Sequence, residues 1–355
     1  MRFKRYANQE FIEQHNSFKQ FKRWRQERIR KLRDKDYSYI IPHVEPDRAF
    51  IKANKLLPTI TWIGHSTFFI QHSGLNVMTD PVWAEQMAFQ KRLAPPGLPI
   101  DDIPPVDVIL ISHSHYDHLN VASLRRLTGE RLLLVPSGLK SKLKLKGFRK
   151  VEELNWWESV TVGDVKFTFV PSQHWTRRNP WDMNTSHWGG WVMESVGGSL
   201  IDGSEEAAAQ SNVSAAQEYT PEADTTPLHL PARRARPTVS PAPTVYFAGD
   251  SGYFKGFKEI GDRFSIDVAL MPIGAYEPEW FMGPQHVTPE EALQAFQDVG
   301  ARWFVPMHYG AFKLADDTPL EALDRLEAER ARRAIDTERL ILLPHGETWR
   351  LWTEQ

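Results

Sequence analysis

Apolar positions along this chain follow two periodicities, and the change comes near Pro58. Before it, Phe18, Phe21, Ile29 and Leu32 recur at helical spacing among Lys19, Lys22, Arg23, Arg25, Arg28, Arg30, Lys31 and Arg33. That spacing predicts a basic helix over Phe18 to Lys35. After it come short apolar runs, Thr59 to Ile63, Thr67 to Gln71, Leu75 to Thr79, Val106 to Ile111 and Leu132 to Val135, separated by Gly, Pro and Asp turns. Runs of that length with that punctuation predict strands. A helix is expected to begin at Asn120 as N-cap and end near Gly129. Another has Thr288 as N-cap, Pro289 at the first helical position and Glu291 completing a capping box. Leu320 to Ala334 reads as a charged amphipathic helix, with Leu340 to Leu343 and Thr348 to Leu351 as closing strands. Strands first, then strands alternating with helices, predict an α/β or α+β sandwich.

Residues 198–243 interrupt this order with Ala, Ser, Thr, Pro and Glu and few large apolar side chains. Such a stretch buries too little surface to offset its ordering entropy. It is expected to be a disordered insertion joining a strand at Trp188 to Ser195 to one at Thr244 to Ala248. The organisation expected is therefore an N-terminal basic helical extension over residues 1–57, packed on or flanking one domain over 58–355.

Composition narrows the functional classes. With 41% hydrophobic and 12% aromatic residues the chain can bury a large core, and no apolar run approaches the ~18 residues of a membrane span. A formal net charge of −2 gives no global attraction to nucleic acid or anionic lipid. The local exception is Phe18 to Lys35, read either as a docked helix with a solvated basic face or as a peripheral membrane contact. The absence of cysteine excludes disulfides, thiolate nucleophiles and Cys-type metal clusters, so any metal must be held by His, Asp and Glu. The basic N-terminus has no apolar region behind it, and the expectation is a cytoplasmic protein.

The candidate chemistry sits where the strand Val106 to Ile111 ends, in Ser112-His113-Ser114-His115-Tyr116-Asp117-His118. Burying so many titratable groups without a metal is costly, and the donor types suit zinc. Further donors follow at expected strand ends: His174 after Val170-Pro171-Ser172-Gln173, Asp250 after Tyr246-Phe247-Ala248-Gly249, and His308 after Phe304-Val305-Pro306-Met307.

The segment His113 to His118 matches the HxHxDH signature, and the chain resembles the metallo-β-lactamase superfamily. That resemblance implies a four-layer αββα sandwich and two zinc ions per chain. His113, His115 and His174 would hold one and Asp117, His118 and His308 the other, with Asp250 bridging them and a shared hydroxide as nucleophile. Within the superfamily the chain is similar to the N-acylphosphatidylethanolamine-hydrolysing phospholipase D branch. The resemblance runs from about Thr61 to Leu351 and is carried by Trp62 to Thr67, Thr79 to Val82, Gln173 to Arg178, and Met271 to Tyr276 with Trp280 to Met282 and Gln285 to Val287. It implies catalytic roles for Asp117, Asp250 and His286, and a substrate pocket lined by the aromatic loop and Gln285. Trp175, Tyr276 and Trp280, with Trp181 and Phe281, are read either as an apolar wall for an acyl chain or as ordinary core aromatics, and Arg177 as a substrate contact. Asp80 and His65 are expected to orient the metal ligands. Arg177 and Arg178 are read either as phosphate partners or as surface charges.

The function expected from this is zinc-dependent phosphodiester hydrolysis of phospholipase D type on N-acylphosphatidylethanolamine-like lipids. Hydrolysis of lactones or other esters is the alternative, and a non-catalytic metal-binding module a weaker one. A nucleic-acid partner is not expected, because the charge is near zero and the loop Tyr276 to Met282 is apolar rather than basic.

Overall fold

The computed structural model of the chain describes residues 4–10, 18–31, 35–87, 90–196 and 242–351. The expected insertion over 198–243 lies outside the described residues except for its last two positions. After α1 (Phe18–Lys31) and α2 (Arg48–Ala53) come β1 (Thr59–Gly64), β2 (Thr67–His72), β3 (Leu75–Thr79) and a small ribbon of β4 (Gln86–Met87) and β5 (Gln90–Lys91). Then follow β6 (Val108–Leu110), α3 (Val121–Arg126), β7 (Leu132–Pro136), α4 (Lys140–Lys144), β8 (Val151–Leu154), β9 (Ser159–Val162), β10 (Val165–Val170) and β11 (Gly190–Ser195). The rest is β12 (Val245–Phe247), α5 (Gly256–Arg263), β13 (Val268–Pro272), α6 (Glu279–Met282), α7 (Pro289–Asp298), β14 (Trp303–Met307), α8 (Pro319–Arg332) and β15 (Thr348–Arg350).

The strands form a seven-stranded sheet in the order β15-β1-β2-β3-β6-β7-β8 and a six-stranded sheet in the order β14-β13-β12-β11-β10-β9. Both faces of the first sheet are covered, which is why its strands read as continuous apolar runs rather than alternating ones. Ile60, Phe68, Ile70, Val77, Val108, Leu110 and Leu134 point to the second sheet, where they meet residues such as Phe167, Phe169, Val192 and Leu270. The alternate positions Phe69, Met78, Ile109, Leu133 and Val135 pack with Ile51 of α2, Leu124 of α3 and Leu143 of α4. On the far side of the second sheet Phe257 of α5, Leu293 and Phe296 of α7 and Leu326 of α8 complete the core. The layers are thus helix, sheet, sheet, helix, the expected αββα sandwich.

Local signals set the helix starts. The Asn120 side chain accepts from Ser123 N, and Thr288 forms its capping box with Glu291. Thr318 and Glu321 form a second capping box that opens α8 at Pro319.

Several boundaries differ from the sequence reading. The basic helix expected to reach Lys35 is described over Phe18–Lys31, and Lys35 lies outside any helix. The helix from Asn120 stops at Arg126, because Leu127 is already extended and Thr128 O accepts from Val106 N. Leu340 to Leu343 is not a strand: Leu340 makes a single bridge to Phe304 and Ile341 N donates to Phe304 O at 2.8 Å. Leu342 is then 52% exposed and Pro344 has no N–H with which to extend a ladder. The last strand, β15, instead pairs with β1 at the edge of the first sheet.

Candidate metal centre

Strand direction brings the site together. β1 is antiparallel to β2 and β2 to β3, so β1 and β3 run the same way, as does β6, which is parallel to β3. In the second sheet β10 and β12 are both antiparallel to β11, and β12, β13 and β14 are parallel. The carboxyl ends of these strands carry His65, Asp80 and the His113 to His118 loop from one sheet. From the other come His174, Asp250, the loop over 274–286 and His308. Sites at the carboxyl ends of parallel strands are a general outcome of open sheets. Three of these residues sit in the left-handed backbone region: His65 at φ 55°, Asp80 at φ 32° and His308 at φ 64°. Each costs on the order of 1–3 kcal/mol and persists because the surroundings enforce it. Gly249, at φ 63°, lets Asp250 approach, since a Cβ there would lie 2.7 Å from the Ser112 Cβ.

The donors converge in two main groups, and His174, Asp250 and His286, like Asp80, His113 and His118, also bring ligand atoms within 4.8 Å of one another. His113 Nε2 lies 2.9 Å from His115 Nδ1, which is 3.2 Å from His174 Nε2. His118 Nε2 lies 3.2 Å from His308 Nε2 and 3.4 Å from Asp117 Oδ2. Each of the sets His113, His115, His174 and His65, Asp117, His118, His308 has ligand atoms within 4.8 Å of one another. Asp250 stands between them. Its Oδ2 is 3.8 Å from the Nε2 atoms of both His113 and His174, while Oδ1 is 3.1 Å from His308 Nε2 and Oδ2 is 3.2 Å from His118 Nε2.

Partners behind the rings fix their tautomers. Ser112 Oγ donates to Asp80 Oδ2 at 2.5 Å and accepts from His113 Nδ1 at 2.9 Å. His118 Nδ1 donates to Asp80 Oδ2 at 2.7 Å, and His174 Nδ1 to Gln285 O at 3.0 Å. With the proton on Nδ1, the rings of His113 and His174 turn an Nε2 lone pair inward, and His118 aims its Nε2 the same way. His65 Nε2 contacts Asp117 Oδ2 at 3.2 Å. Burial pushes His113 and His174 well below their ordinary range and His115 down to about 4. Burial opposes charge on His118 as well, but Asp250, Asp117 and Asp80 outweigh it and raise it well above 6.5. Burial likewise pushes Asp250 up, yet His118 and His308 hold it well below the carboxylate range. Inward lone pairs facing deeply buried carboxylates form a donor set that fits cations, with the nitrogen and oxygen ligands zinc accepts.

The other expected site residues divide. His286 is 8% exposed, with Nδ1 3.9 Å from Asp250 Oδ2, its ring stacked on His308 and its edge toward His174. Trp175 is half-buried and meets His115 edge-on, ring centroids 4.8 Å apart. Trp280 is half-buried on α6, whose Met282 carbonyl accepts from both Gln285 N and His286 N. Its indole donates to Glu27 of α1 at 2.9 Å, and Arg23 lies over its ring. Gln285 reaches the centre through its main-chain carbonyl. Tyr276 corrects the sequence reading: it is fully buried in the core beneath Arg325, directly after Ala275 at φ 63°. It is not placed to line a pocket. Arg177 is exposed, with Nε 3.4 Å from Asn179 O.

Arg178 is engaged with the chain itself. Its Nη1 donates to Ser114 O at 2.7 Å and Leu119 O at 2.8 Å, and its guanidinium lies 3.9 Å from the Tyr116 ring centre. It braces the loop that carries His113 to His118. Sequence reasoning missed this role and that of Ser112, since a serine at a strand end and one of two adjacent arginines carry no local signal.

With the geometry in place, comparison with known proteins gives concordant matches. The family model described as a β-lactamase superfamily domain matches residues 75–201 and 234–309. The N-acyl-phosphatidylethanolamine-hydrolyzing phospholipase D 1 of Caenorhabditis elegans is 30% identical over 310 residues, 81% of this chain and 74% of that protein. A metal-dependent hydrolase of Methanopyrus kandleri is 26% identical, over 82% of this chain and 98% of that one. Among solved structures, a metallo hydrolase from Ignicoccus hospitalis shares the fold with a TM-score of 0.54 at 19% identity, over 84% of this chain and 99% of that chain.

Proposed function

Since the chain belongs to the metallo-β-lactamase superfamily, in the branch of the N-acylphosphatidylethanolamine-hydrolysing phospholipases D, we propose that it is a two-zinc phosphodiesterase acting on N-acylphosphatidylethanolamine-like lipids. The metal-dependent hydrolase character is common to the family; the metal, the lipid and the residue roles are the proposal. His113, His115 and His174 hold one zinc, Asp117, His118 and His308 the other, and Asp250 is shared. The observation that carries this is the Asp250 carboxylate, which faces the nitrogens of both groups at 3.1 to 3.8 Å. When bound, such a metal pair supplies an acidified water as nucleophile and positive charge for the transition state.

The chain's own residues do the rest. Asp80 and His65 hold His118 and Asp117 in their ligating orientation. His286, beside Asp250 and held neutral by burial with a pKa of about 4, donates a hydrogen bond to a phosphoryl oxygen. Trp175 walls one side of the centre. Trp280 and Phe281, one turn before His286, supply apolar surface for an acyl chain. Seven of the residues in α1 are Lys or Arg, and the same reading gives this helix a peripheral contact with anionic lipid. No described helix is long and apolar enough to cross a membrane.

The test is a product assay with the zinc-loaded protein on a panel of phosphodiesters and lactones, together with metal analysis of the protein as purified. Release of phosphatidic acid and N-acylethanolamine, with two zinc ions per chain, is expected. Turnover of lactones alone would replace the reading with an ester hydrolase, and retention of iron would replace the metal.

A further inference from the structure

The segment over residues 4–10, expected to be part of a helical extension, carries no helix or strand. It lies across the loop joining β10 to β11, the loop that bears His174. Tyr6 N donates to Asn184 O at 2.9 Å, and its ring stacks on His187 with centroids 4.5 Å apart. Two residues further on, Asn8 closes a pair of bonds on the main chain of His174. Its Nδ2 donates to His174 O at 3.0 Å, and His174 N donates to its Oδ1 at 3.0 Å. The Trp188 indole donates to the same Oδ1 at 2.8 Å.

The chemistry of this contact is specific. A carboxamide presents one acceptor and one donor on a single planar group, and so satisfies the N–H and C=O of one residue together. His174 is held at three points: N–H and C=O by Asn8, and ring Nδ1 by Gln285 O. With the ring tethered at Nδ1, the position of Nε2 depends on where the main chain sits, and Asn8 fixes the main chain. Partners that orient a ligand from behind typically govern metal affinity by roughly 10- to 100-fold.

We propose that Asn8 is a positioning residue for the metal pocket of His113, His115 and His174, which makes the N-terminal segment part of the metal centre. The assignment rests on the reading of those three imidazoles as ligands. It adds a contact 166 residues distant in sequence that decides how tightly that pocket holds its ion.

The experiment titrates cobalt(II) into metal-free wild type, Asn8→Ala and Asn8→Asp, all full-length. Binding is followed by absorption and by competition with a chelator, and the melting temperature of each metal-free protein is recorded. Aspartate is the informative variant: it fills the same space and still accepts from His174 N and Trp188, but it cannot donate to His174 O. The expected result is two binding steps in wild type, with one of them weakened by roughly 10- to 100-fold in both variants. The other step and the metal-free melting temperature stay close to wild type. Equal affinities in all three proteins would overturn the proposal, and so would wild-type affinity in Asn8→Asp, which would show that the bond donated to His174 O does not fix the main chain. Weakening of both steps together with a large fall in metal-free melting temperature would make the segment a general fold element. Fewer than two steps in wild type would overturn the two-metal reading itself, and this assignment with it.

Discussion

His286 stands beside the ligand groups, close enough to reach a substrate oxygen and separated from Asp250 Oδ2 by 3.9 Å. The His286→Ala variant is expected to keep two metals and a wild-type melting temperature while losing roughly 10²- to 10⁴-fold in phosphodiester turnover. The loss should shrink with a nitrophenolate leaving group if the residue supplies a proton. Equal losses on good and poor leaving groups would point to substrate positioning, and an unchanged rate would remove His286 from the site. Other histidines act on stability rather than chemistry. Burial pushes His187, stacked on Tyr6 and packed against Trp156, down to about 3. A group whose folded pKa is depressed below its unfolded value of 6.5 gives stability that is present above pH ~6.5 and lost as pH falls toward ~3. Each unit of depression is worth about 1.4 kcal/mol. Urea unfolding from pH 7 to pH 4 should therefore show a shallower loss of stability in His187→Phe than in wild type. Parallel curves would show that His187 does not contribute to acid sensitivity.

At the scale of elements, β11 and β12 are antiparallel neighbours with Met193 opposite Val245 and Trp191 opposite Phe247. The chain therefore leaves β11 and enters β12 at adjacent points, and a short turn can join them. Replacing residues 197–241 by a short Gly-containing turn is expected to preserve fold, metal content and turnover. A folded, metal-loaded but inactive variant would show that the segment takes part in the reaction. The ends of other elements are set by equally local chemistry, as in the capping box of Thr288 and Glu291 that starts α7 two residues after His286. Where such a signal is absent the sequence misleads: Leu340 to Leu343 has a strand's composition, yet it makes a single bridge at the β14 edge before Pro344.

For the whole molecule, the metal centre joins the two sheets. His113, His115, Asp117 and His118 come from the first, and His174, Asp250 and His308 from the second. Ions bound there would tie the two halves together, and binding to the folded chain alone would add about 4 kcal/mol at a free concentration a thousandfold above Kd. Chelation should lower the melting temperature in one cooperative transition, with a shift that depends on free metal concentration. A melting temperature indifferent to metal removal would contradict a centre at this position. The sequence by itself determined what is local. The apolar runs of strands buried on both faces, the caps at Asn120 and Thr288, and the His113 to His118 cluster can each be read within a few residues, because backbone periodicity and ligand spacing are short-range properties. The tertiary structure decided what depends on strand order. It turned Tyr276 into the core, engaged Arg178 with the carbonyls of Ser114 and Leu119, routed Gln285 to His174 through its main chain, and brought Asn8 to that same histidine. These contacts span 59 to 166 residues in those same bonds. No local pattern encodes them, because they exist only once parallel strand ends from two sheets meet along one edge.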